Sequence, residues 1–77
     1  MYVISIMVKE RTDEVPDVQK ILTQYGKNII SRLGLHNTGK NKNGLIIVVY
    51  DGQDIQKFEK DLQKIENITV KSMKIEE

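Results

Sequence analysis

The sequence predicts an α+β fold with the element order βαββαβ, and three observations point to it. Four aliphatic stretches alternate with two amphipathic ones along 77 residues. Glycine, asparagine and aspartate fall between the stretches, where turns are needed. Each half of the chain also reads strand, helix, strand, a repeat of pattern and not of residue identity.

Tyr2 to Lys9 is rich in β-branched and aromatic residues and ends in a charged cluster, which predicts the first strand. Glu10 to Asp13 is polar, with Thr12 or Asp13 placed to cap a helix. Val15, Val18, Ile21, Leu22 and Tyr25 then recur at helical spacing. Pro16 fits the first turn of that helix, where its missing N–H has no intrahelical partner. Gly26 is placed to end it in the left-handed conformation. Ile29 to His36 predicts the second strand, and Asn37 to Asn43 an exposed hairpin loop. Leu45 to Tyr50 is continuously apolar, the pattern of a strand buried on both faces. After the Asp51-Gly52 turn, Asp54 can cap a second helix with the stripe Ile55, Phe58, Leu62 and Ile65. Asn67 marks its end, and Ile68 to Ile75 predicts the last strand.

This order is the split βαβ, or ferredoxin-like, plan. Right-handed crossovers place both helices on one face of a four-stranded antiparallel sheet, in the order 4-1-3-2. Residues 1–77 read as one domain. A domain this small buries about 60% of its unfolded surface, so its core is thin and self-association is the simplest added support.

Composition excludes several function classes. A net charge of +1, from 12 basic and 11 acidic residues, supplies no electrostatic footprint for nucleic acid. No apolar run approaches the roughly 20 residues needed to cross a bilayer. The apolar N-terminus lacks the basic region and cleavage site of a signal peptide. With no cysteine, the expected compartment is the cytoplasm. One histidine, His36, and no cysteine leave too few ligands for a transition-metal site, and no cofactor motif is present. No serine nucleophile is paired with a base, so the chain reads as non-catalytic.

Two features remain to carry function. Helices cover only one face of the sheet, yet the strands are apolar on both. Val3, Met7, Ile30, Ile46 and Val48 are expected to form an apolar patch on the open face, and a second copy of the chain is the expected cover. Along the second strand, alternation places Ile30, Arg32, Gly34 and His36 on one face, read as the open one. Arg32, Gly34 and His36 then form a candidate ligand or subunit contact, with the glycine admitting another backbone. The plainer reading is an edge strand whose charges deter pairing.

Leu22-Thr23-Gln24-Tyr25-Gly26, the strand with Ile30 and Arg32-Leu33-Gly34-Leu35-His36, and Gly44-Leu45-Ile46-Ile47 resemble a small bacterial family, the iron-only hydrogenase system regulators. The resemblance implies an ACT-like ferredoxin fold that self-associates. The fold is also similar to the C-terminal domain of nickel-responsive repressors, which use several histidines and a cysteine. His36 matches one ligand position there, but Gly34 stands where another histidine is expected and no cysteine follows. The glycine that amino-acid-binding ACT modules carry after the first strand is missing from Glu10 to Glu14. RNA-recognition motifs share the element order but stack bases on central-strand aromatics, where Ile46 and Val48 are expected here, so RNA binding by that mode is not expected.

The expected function is therefore a non-catalytic regulatory or interaction domain, a homodimer or homotetramer. It would act through a partner protein or a small effector held between subunits. The alternative is a sensor that binds an amino acid or anion at the subunit interface.

Overall fold

In a computed structural model, residues 1–9, 15–38 and 43–76 are described. Tyr2–Val8 forms β1, Val15–Gln24 forms α1, Ile29–Thr38 forms β2 and Asn43–Tyr50 forms β3. Ile55–Gln63 forms α2 and Ile68–Lys74 forms β4. The sheet order is β2-β3-β1-β4, which is the expected order read from its other edge. All three strand pairs are antiparallel.

The core lies between the sheet and the two helices. Ile4, Ile6 and Val8 enter it from β1, Val48 and Tyr50 from β3, Val18 and Leu22 from α1, and Phe58 and Leu62 from α2. Each is a period-two or period-3.6 position, so one face of each of these four elements is consumed. Tyr25, Tyr50 and Phe58 form an aromatic trio at one end of this core. Phe58 stacks on Tyr25 at 4.6 Å between centroids and lies 4.7 Å from Tyr50, within the range where ring quadrupoles attract.

Several turn assignments are corrected. Gly26 does not end α1 in a left-handed conformation; it opens a short 3-10 turn, Gly26–Asn28, entered from Tyr25 at φ −100°. Asp54 does stand at the start of α2, and its carbonyl accepts from the Phe58 N–H at 2.9 Å. Its carboxylate makes no capping bond. The left-handed residue after α2 is Asn67, at φ 61°, a conformation asparagine tolerates better than most side chains. Its carbonyl accepts from the Lys9 N–H at 3.1 Å, which ties the end of β1 to the start of β4. The proposed caps Thr12 and Asp13, and most of the hairpin tip, lie outside the described residues.

Gly52 is required by space. A Cβ there would stand 2.8 Å from Cζ and Oη of Tyr50 and 2.9 Å from Nδ2 of Asn28. The Tyr50 ring is fully buried and cannot swing away, and the Asp51 N–H is bonded to the Asn28 carbonyl at 2.9 Å. Gly52→Ala is expected to destabilise the fold by about 1–3 kcal/mol, the usual cost of overpacking. Urea unfolding followed by circular dichroism measures it; an unchanged midpoint would show that the turn relaxes freely.

Candidate functional site

Strand pairing decides which side chains share the face left open by the helices. Val3 pairs with Val49 and Met73, Ser5 with Ile47 and Lys71, and Met7 with Leu45 and Thr69. On the far side of β3, Ser31 pairs with Val49, Leu33 with Ile47 and Leu35 with Leu45. Paired residues point to the same side of a sheet. Three rows therefore cross the open face: Ser31-Val49-Val3-Met73, Leu33-Ile47-Ser5-Lys71 and Leu35-Leu45-Met7-Thr69.

The surface so formed is apolar over β2, β3 and β1 and becomes polar toward β4. Leu33, Leu35 and Met73 are 57%, 39% and 61% exposed. Val3, Met7, Leu45, Ile47 and Val49 are half-buried only because they cover one another. Among the described strand residues of this face, Lys71 is the single charge. Exposed apolar side chains standing singly are ordinary, but eight on one flat face form a patch of the kind that marks an interaction surface.

Two members of the expected patch belong elsewhere. Val48 is 0% exposed and points into the core, and Ile46 lies on the same helix-covered side, packed against the core. The alternation along β3 holds, but its phase is the reverse of the expected one. Val3 and Met7 do lie on the open face. Ile30 is the extra residue of a bulge between Ile29 and Ser31, 57% exposed beside the end of α1.

The bulge also reverses the reading of β2. Arg32 pairs with Val48 and Gly34 with Ile46, so both face the helix side. Arg32 Nη1 donates to Gln19 Oε1 of α1 at 3.1 Å, a contact possible only from that side. A Cβ on Gly34 would meet nothing within 4 Å, so the glycine leaves an open notch. His36 lies on β2, where the register shifts between Leu35 and Thr38; its side chain is outside the described residues. The open-face residues that were missed on β2 and β3 are Leu33, Leu35, Leu45, Ile47 and Val49.

On the helix side, Tyr25 Oη donates to Asp61 Oδ2 at 2.6 Å, and Lys64 Nζ lies 3.8 Å from Asp61 Oδ1. The hydrogen bond to Asp61, then burial, then the Asp61 charge push the Tyr25 pKa up from 10.0 to about 12. Tyr25 thus holds its proton more tightly folded than unfolded. Its contribution to stability is complete below pH 10 and fades as pH rises toward 12. Tyr25→Phe is expected to lower the melting temperature at pH 7 and to flatten its decline between pH 10 and 12. Melting curves of both proteins across that range measure this; parallel declines would remove Tyr25 as the source.

Among the described residues, no three His, Cys, Asp or Glu side chains converge as a metal site would require. No described helix is long and apolar enough to cross a membrane.

Comparison with known proteins adds a family. A family model described as "TM1266-like: Iron-only hydrogenase system regulator, putative" matches residues 1–72. No curated protein matches. The chain is similar in structure to the uncharacterized protein TM1266 from Thermotoga maritima. The identity is 22%, the TM-score 0.84, and 97% of this chain and 95% of that one are covered. An unknown protein from Galdieria sulphuraria is similar at 15% identity and TM-score 0.69, over 99% of this chain and 45% of that one. A formyltetrahydrofolate deformylase from Pseudomonas putida is similar at 7% identity and TM-score 0.65, over 96% of this chain and 28% of that one. At these identities the structural likenesses show a shared fold.

Proposed function

Because this chain belongs to the TM1266-like family of iron-only hydrogenase system regulators, we propose that it is a non-catalytic regulatory domain working as a homo-oligomer through the open face of its sheet. The observation that carries this reading is the eight-residue apolar patch, with one lysine at its margin. A second copy is a suitable cover on two grounds. The patch is apolar enough to match itself, and a net charge of +1 puts little Coulomb repulsion between copies. Sheets packed face to face lie about 10 Å apart, and their inner side chains interdigitate.

Regulation then acts through what the assembled domain binds, a partner protein or a small effector. The sensor reading gains less support, because Arg32 and Gly34 lie on the helix side and not on the face proposed to meet a second copy.

The test has two parts. Sedimentation equilibrium is expected to show an oligomer for the native chain and a monomer for Ile47→Lys. In a host that carries this chain and an iron-only hydrogenase, disrupting the gene is expected to change hydrogenase activity. The native gene should restore it and the Ile47→Lys gene should not. Unchanged hydrogenase activity on disruption would overturn the regulatory reading.

A further inference from the structure

The two edges of the sheet are not alike. β4 carries Lys71 and Lys74, and charged residues, lysine above all, are a common way to protect an edge from pairing. β2, the other edge, spans ten residues with no proline and no acidic residue, and Arg32 is the one Lys, Arg, Asp or Glu among them. No described strand pairs with its outer side. From Ser31 to Leu35 it pairs regularly with β3, past the bulge that distorts its start. An edge strand of this kind offers a row of backbone donors and acceptors to any extended chain.

Beside this edge, on the helix side, lies a hollow of about 430 Å³ bordered by Leu22, Thr23, Gly26, Ile29, Ile30 and Arg32. A strand added to β2 would drop alternate side chains toward this hollow and over the open notch at Gly34. Arg32 stands between them. Its guanidinium spends one N–H on Gln19, and the group has five to give. We propose that the β2 edge is a strand-addition site for an extended segment of a partner protein, with a carboxylate side chain placed to meet Arg32 and an apolar one to enter the hollow. Main-chain bonds supply the affinity of such a site and the side-chain pockets its selectivity.

Charge argues for a foreign segment over a second β2. Two copies paired antiparallel about Leu33 would set Arg32 diagonally across from its counterpart, roughly 7–8 Å away on the same face. No carboxylate on β2 would relieve the repulsion. β4 of another copy would add Lys71 and Lys74, one on each face, and no carboxylate to meet Arg32. The proposal extends the regulatory reading, in which a partner protein is engaged, and it leaves the open face to the second copy.

Fluorescence anisotropy with a defined probe tests it. The probe is a labelled ten-residue peptide of alternating valine and threonine with one central glutamate. A control peptide carries lysine in place of the glutamate. The native chain is expected to bind the glutamate peptide at least tenfold more tightly, the worth of a charge-assisted hydrogen bond. Arg32→Glu should reverse that preference, and Arg32→Gln should abolish it. N-methylating alternate residues along one edge of the peptide should eliminate binding, while methylating the other edge should not. Equal binding of the two peptides, indifference to both Arg32 variants, or tolerance of methylation on both edges would each overturn the proposal. Arg32→Glu should sediment like the native chain, so failure here would leave the open-face reading standing.

Discussion

Ile47→Lys is expected to leave a folded monomer at every accessible concentration where the native chain, on the reading proposed above, assembles. Ile47 occupies the middle strand of the apolar patch, with Leu33 on one side and Ser5 on the other. The face it belongs to measures roughly 20 Å by 20 Å, from four strands about 4.8 Å apart and some six residues long. Two such faces bury about 800–1,000 Å² together, just under the roughly 1,200 Å² at which stable interfaces begin. An interface of that size has little affinity in reserve. In an isologous pair each substitution occurs twice, and each unpaired ammonium taken out of water costs several kcal/mol. The dissociation constant should therefore rise by more than about a hundredfold. The monomer should keep the native circular dichroism, because the side chain points away from the core. Leu33→Lys, at a position already 57% exposed, supplies a second variant with less risk to folding. A native chain that sediments as a monomer, or an oligomer that survives both substitutions, would remove the open face as the contact.

Phe58→Ala is expected to be the most destabilising single substitution in the molecule. Its ring is fully buried and touches both other members of the aromatic trio. Removing a buried phenylalanine typically costs 3–5 kcal/mol through lost burial and the cavity left behind. At the usual stability per residue, this chain has about 4–12 kcal/mol in total. The variant should therefore be largely unfolded at 37 °C, or melt far below the native protein. Phe58→Leu should recover part of the loss, since it keeps much of the volume. Thermal melts of the three proteins measure this order. A Phe58→Ala midpoint within a few degrees of native would mean that the trio contributes little to the core.

The two substitutions separate the two faces of one sheet. Phe58 acts on the side the helices cover and should abolish folding and assembly together. Ile47 acts on the other side and should abolish assembly alone.

Periodicity sufficed for the architecture. The stripe Val18, Ile21, Leu22 and the stripe Ile55, Phe58, Leu62, Ile65 could lie only on helices, and each half of the chain repeated strand, helix, strand. Antiparallel pairing and the order β2-β3-β1-β4 follow from connection rules that hold for any such chain. That both faces of the central strands are apolar was equally legible, because alternation along Leu45 to Tyr50 leaves no polar set.

Only the tertiary structure decided which apolar set faces which side. A strand's two faces are equivalent until its neighbour fixes the phase, and a one-residue change of register exchanges them. In β3 the cross-strand partners Val3, Ser5 and Met7 send Leu45, Ile47 and Val49 outward and Val48 into the core. In β2 the single extra residue at Ile30 does the same, turning Arg32 toward Gln19 and Leu33 toward the open face. Local sequence specifies the alternation; long-range pairing and one bulge specify its direction, and the candidate site depends on that direction.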